Sequence, residues 1–170
     1  MKVNQAVLMV LRHLRNAFET GKENGDFTIT DGKVALAETY LSGEWVAITG
    51  SRLNDGIYRI KFDAGEYLLT NGTDNELAVE DESFTGSVWR LGLPKDLIDL
   101  CKDVQAWLDS SAGQPGAGAI TSESVVGFYS VKFATPKEGG NSGGWESAFA
   151  NRINSGWRNM YGSALFSILR

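Results

Sequence analysis

The sequence is poor in the residues from which most chemistry is built. It has one cysteine, Cys101, and one histidine, His13, in 170 residues. A lone cysteine closes no internal disulfide, so a fold independent of oxidation and synthesis in a cytoplasm are expected. The nitrogen and sulfur ligands of a structural zinc site are lacking too. Nor does the chain hold a dense run of Lys or Arg: 16 basic residues face 21 acidic ones, for a net charge of −5. Tight binding to a nucleic-acid backbone needs clustered cations. An acidic surface suits DNA passing close by without being held. Long apolar runs are missing as well. The N-terminal stretch MKVNQAVLMVLRHLRNAF is interrupted by Arg12, His13 and Arg15 and precedes no small-residue cleavage site, so it reads as neither signal peptide nor membrane span.

What is present is enough for a globular core. Hydrophobic residues make up 42% of the chain and aromatics 11%, including five Trp, which argues against disorder. The length suits one domain, or one domain carrying an insertion.

Periodicity divides the chain. Val3, Val7, Val10, Leu11, Leu14 and Phe18 fall on one face of a helix over roughly 3–20, with Asn4 as a possible cap and Gly21 as a stop. From 26 to 91 turn signals become dense. Short strands are expected at 27–30, 44–49, 57–60, 66–70 and 84–91, punctuated by Asp31-Gly32, Asn54-Asp55-Gly56 and Asn71-Gly72. They predict a small antiparallel sheet or barrel. Pro94 opens a second helix, about 94–110, with Leu97, Leu100, Val104 and Leu108 on its apolar face. Residues 120–134 have β-type composition between two glycine-rich linkers, 111–119 and 135–144, and predict a strand or hairpin that invites a partner chain. Trp145, Phe149, Ile153, Trp157 and Met160 predict a third helix, followed by the apolar tail 165–169. The expected fold is therefore α+β: a small bundle of three main helices from 1–25 and 92–170, with 26–91 inserted as a small antiparallel β-domain, plus a long β-prone loop.

Each chemical motif has a plainer explanation. Gly139-Gly140-Asn141-Ser142-Gly143-Gly144 has the look of a serine-protease nucleophile loop, but a nucleophile needs a base and an orienting acid, and the single histidine sits in the first helix; a hinge is the simpler reading. His13 itself is expected on a helix face or at an interface. Asp74, Glu76, Glu80, Asp81 and Glu82 could hold a hard cation, yet they lack the spacing of a known loop and read as a solvated acidic face. The glycines at 50 and 56 are turns, since no GK[ST] follows a phosphate-cradling loop. Trp145 and Trp157 at helical spacing fit core packing, and also anchoring between subunits.

The second half of the chain carries a resemblance. A helix, then Ile120-Thr121-Ser122-Glu123-Ser124-Val125, an aromatic strand, a gapped loop, a Trp-opened helix and a closing Trp157-Arg158-Asn159-Met160-Tyr161 together resemble the head–tail connector (adaptor) proteins of siphophages from Gram-positive hosts. Residues 50–58, 81–89 and 94–96 resemble a β-insert carried by many such phage proteins; the smaller adaptors are almost wholly helical and lack it. The resemblance implies a virion neck protein that forms a ring of about twelve copies on the portal by head-to-tail contacts. Such a ring extends the DNA channel and presents a docking surface to the next neck or tail protein. It implies no catalytic residue, no metal and no cofactor.

On that reading, Ile120, Val125, Phe128, Tyr129, Val131, Phe133, Trp145 and Trp157 are candidates for the subunit interface. The loop around 112–134 would reach a neighbour by strand addition. Arg158, Tyr161, Leu165, Phe166, Ile168 and Leu169 are candidates for contact with the portal or a neck partner, through an extended tail, while the β-insert projects outward. A head-closure or tail-completion protein of the same neck is the nearest alternative. A carbohydrate- or protein-binding β-module on a helical mount is the alternative of a different class, and it requires Trp45, Tyr58 and Tyr67 exposed on one sheet face.

Overall fold

The computed structural model of the protein describes residues 2–72, 79–110, 120–126, 128–133 and 144–168, of which 120–126 and 128–133 are described by their backbone. Leu169, the acidic residues Asp74 and Glu76, and the glycine-rich motif before Gly144 lie outside the described residues.

The chain is built on a closed antiparallel barrel, not on a helical bundle. Helix α1 (Val3–Leu14) leads into six strands: β1 (Glu19–Thr30), β2 (Lys33–Val34), β3 (Trp45–Thr49), β4 (Gly56–Asp63), β5 (Glu66–Thr70) and β6 (Glu82–Leu91). Their order around the barrel is β1-β2-β5-β4-β3-β6, and the long β1–β6 ladder closes it. Helix α2 (Lys95–Asp109) follows, then the hairpin of β7 (Ile120–Val126) and β8 (Phe128–Phe133). The last part is a one-turn helix α3 (Trp145–Ala148), a 3-10 turn (Ser155–Trp157) and a short helix α4 (Ala164–Ile168). The expected three-helix bundle with an inserted small sheet is thus overturned: the sheet is the body of the fold, and α1 and α2 are the only helices of more than two turns among the described residues.

The reason lies in strand β3. All five residues of Trp45–Thr49 are buried. Val46 and Ile48 point into the barrel with Phe27, Ile29, Ile60 and Val88, whereas Trp45 and Ala47 face outward under the helices. Strand residues alternate faces, so a strand with no polar alternate must be covered on both sides. The cover is α1 and α2, which turn Val7, Leu11, Leu97, Leu100 and Val104 onto the outside of the wall. Helices and barrel share one core there.

Two further elements depart from expectation. Helix α1 stops at Leu14, with Arg15 in the left-handed region at φ 56°, and β1 starts at Glu19, well before the expected Phe27. The first half of β1, Glu19 to Asp26, has no apolar side chain; it is a strand because it pairs with β6, continuously from Gly21 onward after a register shift between Glu19 and Gly21. The expected third helix is broken into short turns. Asn154 accepts a hydrogen bond from Gly156 N–H at 2.8 Å, a local bond that competes with a continuing helix. Trp145, Phe149, Ile153 and Trp157 still reach the shared core.

Closure of the barrel depends on one glycine. A Cβ at Gly86 of β6 would sit 2.2 Å from the Thr49 carbonyl oxygen, so a larger residue would force β6 and the end of β3 apart.

Candidate interaction surfaces

The hairpin β7–β8 forms a two-stranded sheet of its own, separate from the barrel, with Ile120 opposite Phe133, Val125 opposite Tyr129 and Glu123 opposite Val131. Five of the expected interface positions therefore lie with Ile120 on one backbone unit. Among the described residues, each strand has its partner on one side only, which leaves a row of backbone donors and acceptors along either edge.

The two tryptophans lie elsewhere. Trp145 is 1% exposed and packs edge-on against His13, ring centroids 5.2 Å apart. Trp157 is half-buried on the same core, and its carbonyl accepts a 2.9 Å hydrogen bond from Asn16 Nδ2. Trp145 thus belongs to the chain's own interior.

The expected portal-contact residues are also divided. Leu165 is fully buried, and Phe166 packs against the same core. The segment is held by Ser163 and Leu165, whose N–H groups donate to the Arg15 carbonyl at 3.0 Å and to Glu19 Oε1 at 2.7 Å; Ser163 Oγ accepts from Ala17 N–H. This tail is folded back on the helix end, not extended. Met160, Tyr161 and Ile168, by contrast, are 87%, 98% and 50% exposed.

These exposed side chains border a cationic corner. An open cleft of about 410 Å³ is lined by Arg12, Arg15, Tyr161, Gly162, Ser163, Phe166 and Ser167. Exposed Arg158 adds a third guanidinium: its Nη2 lies 2.9 Å from His13 Nε2. Burial, and then the Arg158 charge, lower the pKa of His13, with Glu146 acting in the opposite direction. The imidazole is thereby kept neutral and able to accept from the guanidinium.

The opposite end of the β1–β6 ladder is acidic. Ile29 pairs with Glu82 there, and exposed Asp31, Glu80 and Asp81 surround the junction. Glu82 organises the loop between β3 and β4. Its carboxylate accepts from Ser51 Oγ, from the Arg52 and Leu53 N–H groups and from Asn54 Nδ2. Burial alone would raise the Glu82 pKa, but these four bonds outweigh it and hold the carboxyl below its usual range. Asn54 completes the clamp by bonding the Glu80 backbone through both ends of its amide, at 2.9 and 2.8 Å. Leu53, on the clamped loop, remains 46% exposed.

Among the described residues no group of three or more His, Cys, Asp or Glu side chains gathers to hold a metal, and no helix is long and apolar enough to cross a membrane. The aromatic platform required by a ligand-binding β-module is not formed: Trp45 and Tyr58 are buried, and Tyr67 is half-buried, its hydroxyl accepting from Tyr40 N–H at 3.1 Å. Arg12, Arg15 and Leu53 were not legible as surface-forming positions, because the first two lie within an apparent helix pattern and the third beside a turn. Comparisons with protein families, with curated proteins and with solved structures gave no match to this chain.

Proposed function

We propose that the chain is a virion structural protein, a head–tail connector that assembles with itself into a ring of about twelve copies beneath the portal. The ring extends the DNA channel, passes DNA without reading its sequence and offers a docking surface to the next neck or tail protein. It is made and assembled in the bacterial host cytoplasm and works without catalysis or a cofactor. The observation that carries this reading is the hairpin Ile120–Val126 with Phe128–Phe133, a sheet apart from the barrel that contains the segment with the adaptor resemblance. A lone two-stranded hairpin is marginally stable in water. Adding it to a neighbouring copy supplies the missing partner for an edge. The acidic balance of the chain supports a channel that does not retain DNA.

Immunogold labelling of virions of the encoding phage tests the assignment. Label is expected at the head–tail junction; label confined to the tail tip, or no label on virions, would overturn it. The hairpin's part is tested separately by the double substitution Phe128→Asp/Tyr129→Asp. Loss of assembly is expected, and rings of normal mass would contradict strand addition.

A further inference from the structure

We infer that the arginine corner of one copy docks head to tail on the acidic rim of a second copy, with Tyr161 and Met160 set against Leu53; this inference rests on the ring reading above. Three relationships support it. The first is position. Arg15 precedes β1 by a short turn, and the corner is tied to Glu19 at one end of the β1–β6 ladder. Asp31, Glu80 and Asp81 lie at the other end, on the order of 30 Å of strand away at about 3.3 Å per residue. The two surfaces thus lie at opposite ends of the β1–β6 ladder, as a head-to-tail contact between copies requires.

The second relationship is charge. The corner presents the exposed Arg15 and Arg158 guanidinium groups beside the half-buried Arg12; Glu19, which accepts from Leu165 N–H, and Glu146 beside His13 offset part of that charge. At the rim, acids outnumber cations, which are Arg52 on the clamped loop and Lys33, itself ion-paired to Glu66 at 2.6 Å. Guanidinium groups suit such contacts because their planar fork matches a carboxylate.

The third is apolar surface. Tyr161 and Met160 are among the most exposed large hydrophobics of the described residues, and Leu53 is the exposed one at the rim. Tyr and Arg are enriched where interfaces draw their energy. The Glu82 clamp fixes Leu53 before any partner arrives, which reduces the ordering cost of docking. A contact between two different patches of identical chains is heterologous, and such contacts close into rings when the rotation permits.

Charge reversal tests the pairing. Native mass measurement is made on the full-length chain, with portal added if the chain alone stays monomeric. Arg15→Glu/Arg158→Glu and Glu80→Lys/Asp81→Lys are each expected to lose the ring-sized species. An equimolar mixture of the two variants is expected to recover it, because each corner then meets a rim of opposite sign. A single cooperative thermal transition and an unchanged circular-dichroism spectrum serve as the control for folding, since Arg158 contacts His13 and Asp81 accepts from Asp31 N–H, so the midpoint itself shifts. Normal rings from Arg15→Glu/Arg158→Glu would overturn the pairing while leaving the ring intact, as would rings that form normally but no longer bind portal, which would assign the corner to the portal contact. Failure of the mixture, with both variants folded, also overturns it. A wild-type chain that stays monomeric even with portal would overturn the ring reading itself.

Discussion

Arg158 Nη2 and His13 Nε2 stand 2.9 Å apart, and this contact links the C-terminal segment to the end of α1. It requires a neutral imidazole. Burial and the Arg158 charge keep the folded-state pKa of His13 below its ordinary 6.5. The unfolded chain therefore takes up this proton more readily than the folded one. Stability from this site is complete above about pH 6.5 and is lost as pH falls through the lowered folded value. Because His13 is the only histidine, ring-proton NMR follows it without ambiguity. A titration midpoint below 6.5 is expected, and His13→Gln should flatten the melting-temperature decline between about pH 7 and 5.5. A midpoint at or above 6.5 would contradict the contact.

Glu82 receives four hydrogen bonds from one loop. Its replacement by Ala leaves the Arg52 and Leu53 amides without their acceptor. We expect a loss of about 1–2 kcal/mol, reduced from the full value for a charged acceptor by solvent access, and faster hydrogen exchange at Arg52 and Leu53. Unchanged exchange at both amides would show that the loop holds itself.

Leu165 and Ile168 lie on the same short helix but in different surroundings, the first fully buried and the second half-exposed. Leu165→Ala should cost about 2–5 kcal/mol in urea unfolding. Ile168→Ala should stay within about 0.5 kcal/mol. Equal effects would mean that the tail is not docked as described.

Cys101 is buried between α2 and the barrel wall, and burial pushes its thiol up to about 12. The thiolate is the reactive form, so a thiol reagent should label Cys101 only through opening of the core. The labelling rate is expected to rise steeply with urea, in parallel with unfolding. Rapid, complete labelling in native buffer would contradict this packing.

The elements were largely legible in the sequence, but their assembly was not. Trp45–Thr49 was recognisable as a strand from its β-rich composition, yet an uninterrupted apolar run does not say what covers each face, and the cover decided between an inserted sheet and a barrel under helices. The first half of β1 was invisible because its polar side chains do other work: Glu23 accepts from Ala37 N–H and from the Tyr40 hydroxyl, and Lys22 lies 4.3 Å over the Trp89 ring. Residues from Trp145 to Trp157 recur at helical spacing and do reach the core, but a chain of short turns delivers them as well as a helix would. The hairpin Ile120–Phe133 was anticipated from composition. The arginine corner could not be, since only folding brings Arg158 beside His13 and Arg15 beside Gly162.

The most direct test of the connector reading is the native mass of the purified chain, alone and with the portal protein of the same phage. The account predicts a closed ring, about twelve copies, seated on the portal. A chain that remains monomeric at all concentrations and does not bind portal-bearing heads would contradict it.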